Sequence, residues 1–89
     1  MQQLRRMPAD GSGKAAFCQP GGLMAVRATA MEGQVLEVAR EDVARVGALA
    51  VDKDVTKAEL TAALLYLCHS TLAAVDVAAC RAERLEQED

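Results

Sequence analysis

An imidazole, a carboxylate and a thiol lie close together in His69, Asp76 and Cys80, within a stretch that contains no Gly or Pro. On a helix, offsets of seven and four residues bring all three within about 40° of one face. An imidazole can activate a thiol as a nucleophile, but three helical turns separate His69 from Cys80, well beyond hydrogen-bond reach. As metal ligands they are too few, unless two-fold symmetry joins two sets. What remains is a polar seam where a helix meets solvent or a partner. Gly11-Ser12-Gly13-Lys14 invites a phosphate-loop reading. It fails because no apolar strand precedes it, the full glycine spacing is missing, and Ala15 stands where a hydroxyl would meet Mg²⁺. No catalytic, cofactor-binding or metal-binding residue is therefore assigned, no cofactor is expected, and an enzyme ranks last among the readings.

The charge distribution narrows the partners. Residues 1–30 carry Arg5, Arg6, Lys14 and Arg27 against Asp10 alone, while the rest of the chain is acidic and the net charge is −3. Duplex binding calls for a basic stripe on an ordered element, and the helical part offers the reverse. Three cysteines, Cys18, Cys68 and Cys80, are an odd number. On one helix Cys68 and Cys80 would lie about 18 Å apart along the axis, so any disulfide has to use Cys18 or join two chains. Arg5 and Arg6 lead into Pro8, Asp10 and Gly11 rather than an apolar run, and the expectation is a reduced, cytoplasmic protein.

These residues are positioned by two helices. Residues 1–16 show no periodicity and read as a flexible tail. Residues 17–89 read as one domain: turn chemistry at Pro20-Gly21, a short extended segment over 23–28, and helices over about 30–51 and about 57–86. Thr29-Ala30-Met31-Glu32 and Thr56-Lys57-Ala58-Glu59 both match the capping box that opens a helix. The first helix presents Val35, Leu36, Ala39, Val43, Val46, Leu49 and Ala50 at helical spacing. Asp42 sits beside that stripe, either as a rim residue or as a buried carboxylate pairing with Arg27, Arg45 or Lys57. The second helix presents Leu60, Leu64, Leu67, Thr71, Ala74, Val75, Ala78, Ala82 and Leu85, widened by Thr61, Cys68, Leu72, Ala79 and Leu65. His69, Asp76 and the end after Cys80 read as wet, and Arg81–Asp89 as a solvated, fraying terminus.

The fold class expected is all-α, an antiparallel helical hairpin with an extended or disordered N-terminal arm. With one Phe, one Tyr and no Trp, the core is built from Leu, Val, Met and Ala, and a chain of 89 residues is small enough for stability to be marginal. One narrow stripe cannot cover a helix as broadly apolar as Leu60–Cys80. Pairing two hairpins into a four-helix arrangement removes the problem, and the expectation is a homodimer. The interface residues expected are Leu64, Leu65, Leu67, Cys68, Leu72, Val75 and Ala79. A membrane span competes for the same stretch, but His69, Asp76 and four hydroxyl-bearing residues lie inside it, so no membrane partner is expected.

The run Phe17-Cys18-Gln19-Pro20-Gly21-Gly22-Leu23-Met24-Ala25-Val26-Arg27, followed by a helix and a second Ala- and Leu-rich helix, resembles a family of small uncharacterised proteins found mainly in pseudomonads. The likeness covers about residues 17–80, and the chain departs from it in that the aromatic residues of the second helix are reduced to Tyr66. It implies a bacterial cytoplasmic accessory protein and carries no site residues across. Two functional expectations follow. The first is a non-enzymatic homodimeric interaction module that binds another protein by helix-in-groove pairing, as a regulator or anti-activator. The second is a small DNA-associated transcriptional regulator whose basic arm, Arg5, Arg6, Lys14 and Arg27, touches phosphates.

Overall fold

The computed structural model describes residues 4–7, 16–18 and 21–88. Two long helices, α1 (Leu23–Ala50) and α2 (Lys57–Glu88), form a helical hairpin. Ahead of them two short strands, β1 (Arg5–Met7) and β2 (Ala16–Cys18), pair antiparallel with Arg6 opposite Phe17.

The extended segment expected over 23–28 is instead the first two turns of α1. Leu, Met, Ala and Arg are all good helix formers and Val26 is the only β-branched residue among them, so helix propensity wins over weak alternation. Gly21, at φ +76, makes the turn into the helix and occupies a conformation that a side chain would strain. Gly22 is the N-cap, and its carbonyl accepts from the amides of Ala25 and Val26 at 3.0 and 3.2 Å. The capping box expected at Thr29 does not form, because Thr29 is already inside α1 and its hydroxyl donates back to the Ala25 carbonyl at 3.1 Å. At the second helix the Thr56 hydroxyl accepts from the Glu59 amide at 3.1 Å, as a cap should. Between the helices the Asp52 carboxylate accepts from the Asp54 amide at 2.9 Å and tightens the turn.

The helices meet along a line of small residues. Ala25, Ala28, Glu32, Val35, Ala39, Asp42, Val46 and Leu49 are all buried or half-buried, and their spacing alternates three and four residues along α1. Facing them, Leu60, Ala63, Leu67, Ser70, Ala74 and Val77 repeat the same spacing on α2. The alanines in the two lines leave room for the larger Leu and Val side chains between the helices. Two long helices side by side give the narrow, rod-like outline, 58 × 24 × 20 Å. The apolar stripe expected on α1 is partly correct: Val46 and Leu49 do turn inward, whereas Val43 is 58% exposed and Ala50 is also exposed.

Charges lock one end of the hairpin. Glu32 is fully buried, and its carboxylate takes both arms of Arg84 at 2.8 Å, with Arg81 Nε at 3.4 Å and Arg5 Nη2 at 3.2 Å. Arg5 comes from β1, and its Nη1 donates to the Ala25 carbonyl and the Thr29 hydroxyl at 3.0 and 2.9 Å. Its Nη2 approaches Glu32 at too poor an angle for a hydrogen bond, and its Nε has no acceptor among the described residues. Arg6 points the other way, to Asp76 at 2.7 Å and Glu83 at 3.0 Å. Residues 5–7, expected in a flexible tail, are therefore a strand that bridges α1 and α2. Likewise Arg81–Glu88 is not a loose end, since α2 runs through it and Arg84 and Glu83 hold partners there. Asp42 is buried with Arg45 Nη1 at 3.0 Å, which selects the paired carboxylate over the rim residue.

Burial pushes the Glu32 carboxyl up, but the hydrogen bonds from Arg84 and the charge of Arg5 beside it outweigh that and hold the group below its ordinary value. A carboxylate lowered in the folded state stabilises fully above the unfolded value of 4.5, and that contribution is lost as pH falls further. Glu32→Gln should cost about 2–4 kcal/mol in urea unfolding at neutral pH and flatten the fall in stability between pH 5 and pH 3. Arg6→Gln should cost only about 0.5–1 kcal/mol, because Glu83 is half exposed.

Candidate functional site: an uncovered aliphatic face

Opposite the line that meets α1, the second helix carries another line of the same spacing: Leu65, Cys68, Leu72, Val75, Ala79 and Ala82, all exposed. Leu72 is 71% and Val75 60% exposed. Leu64 and Leu85 flank it at 44% and 65%. Two lines in one helix explain its broad apolarity. Each line holds two Leu, one Val and two Ala, so the outer one is as apolar as the one that α1 covers.

Of the seven interface residues expected, Leu64, Leu65, Cys68, Leu72, Val75 and Ala79 are exposed, while Leu67 is half-buried on the line facing α1. Leu60 and Ala74, grouped with them by helical spacing, also turn toward α1. On the first helix a shallow depression of about 340 Å³ is lined by Leu36, Ala39, Arg40 and Val43. A groove of about 320 Å³ runs between the helices on the other side, where Met31, Val35 and Val38 face His69 and Ala73.

His69, Asp76 and Cys80 are not brought together as a site. His69 is exposed beside the groove, Asp76 is taken by Arg6, and Cys80 is fully buried. The expectation that Asp76 is wet is corrected by Arg6, which pairs with it and leaves it half-buried; beyond Cys80 only Glu83 and Arg84 are half-buried among the described residues, while Arg81, Ala82, Leu85, Glu86 and Gln87 are exposed as expected. Burial pushes the Cys80 thiol up, with Arg6 offsetting part of the effect, so the thiolate that a nucleophile needs is disfavoured. Among the described residues no group of three or more His, Cys, Asp or Glu side chains is placed to hold a metal ion.

The basic arm also looks different once folded. Arg5 and Arg6 are engaged by Glu32, Asp76 and Glu83, and Arg27 is exposed on α1. Lys14 lies outside the described residues, as does Gly11–Lys14 as a whole. The internal role of Arg5 was hidden from sequence reasoning because its partner, Glu32, lies 27 positions away and read as a helix cap.

Comparison with protein-family models, with curated proteins and with solved structures gives no match for this chain. By length and composition α2 could cross a membrane: its most apolar window has mean hydropathy 1.6, with 22% of that window buried in the hairpin. Mostly buried core helices of soluble proteins pass the same test; this window is mostly exposed, and Asp76 inside it is ion-paired with Arg6 of β1.

Alkylation of the native protein followed by peptide mapping should leave Cys80 unmodified until urea unfolds the chain. Modification of Cys80 under native conditions at the rate of a free thiol would contradict its burial.

Proposed function

We propose that this chain is a non-enzymatic, cytoplasmic interaction module that works as a homodimer and uses the outer aliphatic face of α2 to bind protein. The role that fits such a face is that of a regulator or anti-activator: a helix of suitable apolar spacing on a target can exchange for the second copy and be held in its place.

The observation that carries this reading is the exposure of Leu64, Leu65, Leu72, Val75 and Leu85 on one hairpin. Monomeric proteins seldom leave contiguous apolar patches of more than a few hundred Å² open to water. At ~25 cal/mol per Å², covering such a patch contributes several kcal/mol, comparable with the whole stability of a domain this small. A charged span across a lipid core is a poorer use of the same helix, because Arg6, Asp76 and Glu83 would have to enter it or separate. Binding to DNA through the arm would require Arg5 and Arg6 to leave their internal carboxylates.

Sedimentation equilibrium at micromolar concentration should give twice the chain mass. Leu72→Glu should yield a monomer that keeps its helix content by circular dichroism. Alkylation of Cys68, exposed on a single hairpin, should slow as concentration passes the dissociation constant. A folded monomer of the unsubstituted chain, or recovery only from the membrane fraction, would overturn the proposal.

A further inference from the structure

Within the outer line of α2 the side chains fall in size from Leu65 and Leu72 to Val75 and then Ala79 and Ala82, with Leu64 and Leu85 at its margins. Packed helices in a bundle keep a nearly constant separation along their length. If two copies met in parallel, Leu65 would face Leu65 and Ala79 would face Ala79, leaving the pair splayed at one end and hollow at the other. Antiparallel order instead sets the leucine at 65 against the alanine at 79 on both sides of the middle.

We infer that two copies pair α2 against α2 in antiparallel order, with the two-fold axis passing beside Leu72. This arrangement rests on the homodimer reading above and gives it a register. A two-fold contact is reciprocal, so a residue i that meets j also has its own j met by i. With the axis at Leu72, Leu65 meets Ala79, Cys68 comes alongside Val75, Ala62 meets Ala82 and Leu72 meets its own copy. Charge agrees with the same register. Lys57, in the first turn of one α2, comes beside Glu86, in the last turn of the other, whereas parallel order would set Glu86 against Glu86. The two helix dipoles are then opposed, which is the favourable order. A helix of 32 residues spans about 48 Å. Leu64 and Leu85 lie at the margins of such a contact, and the exposed Val43 of α1 lies beyond them.

The register can be read by disulfide trapping in the full chain, with Cys18 and Cys68 replaced by Ser and the buried Cys80 retained. All three test positions are exposed in the single hairpin, so helix content should be unchanged by Leu72→Cys, Leu65→Cys or Ala79→Cys. Mild oxidation should convert most of the L72C protein to covalent dimer. An equimolar mixture of L65C and A79C should cross-link at least several-fold more than either protein alone. Self-cross-linking of L65C and of A79C with none between them would establish parallel order and overturn the inference. So would an L72C protein that sediments as a dimer yet does not cross-link; both results leave the homodimer itself standing. Sedimentation as a monomer would remove the register together with the dimer on which it rests.

Discussion

The line along which the two helices meet is rich in alanine and carries buried charge at Glu32 and Asp42, and the rest of the molecule follows from that contact. Ala25, Ala28 and Ala39 on α1 meet a line on α2 that includes Ala63, Ser70 and Ala74. Such a contact removes little apolar area per residue, since an Ala side chain has little to bury. It does let the backbones come close. A second apolar line with side chains of the same sizes is left on the far side of α2. A single narrow line of contact therefore shapes the hairpin and leaves an equally apolar face outside.

A contact so poor in large side chains needs another source of definition, and the buried ions provide it. Alanine lines slide easily against one another, because every third or fourth position offers much the same surface. Glu32 cannot slide, since its carboxylate is satisfied only where Arg84 and Arg81 of α2 and Arg5 of β1 converge. A buried pair of this kind adds little net stability over a well-packed apolar alternative but penalises every misaligned register heavily. Asp42, in the same line, is paired with Arg45 of its own helix and adds no constraint between the two. The Glu32 cluster alone ties α1, α2 and β1 to one alignment.

The two helices, the turn between them and the Thr56 cap were legible because helical periodicity, a polar break and a capping pattern all agree there. The breadth of the apolar surface on α2 was legible too. Its division was not, because residues 100° apart shade into one another on a helical wheel, and only the partner decides that Leu67 turns in while Leu64 stays out. The start of α1 was misread for a related reason: Thr29 and Glu32 form a valid capping pattern locally, and only Arg5 and Arg84, from distant parts of the chain, make Glu32 a core residue. Asp76 and Glu83 looked solvated for want of any local sign that Arg6 would reach them.

The arm and the open face are neighbours, and the chemistry of one bears on the other. Asp76 follows Val75 directly, and Glu83 follows Ala82, so two carboxylates border the outer line of α2. Left alone, each would have to be stripped of water as a covering surface approached, at a cost of several kcal/mol for a fully buried ion. Arg6 already holds both, with Asp76 at 2.7 Å and Glu83 at 3.0 Å. Its hydrogen bonds to Asp76 first, and then to Glu83, raise its own affinity for the proton and keep the guanidinium charged at any physiological pH. An ion pair formed within the chain presents less charge to be desolvated than two separate carboxylates do. The N-terminal strand thus closes the hairpin and, by the same contacts, makes the rim of its aliphatic face more nearly neutral.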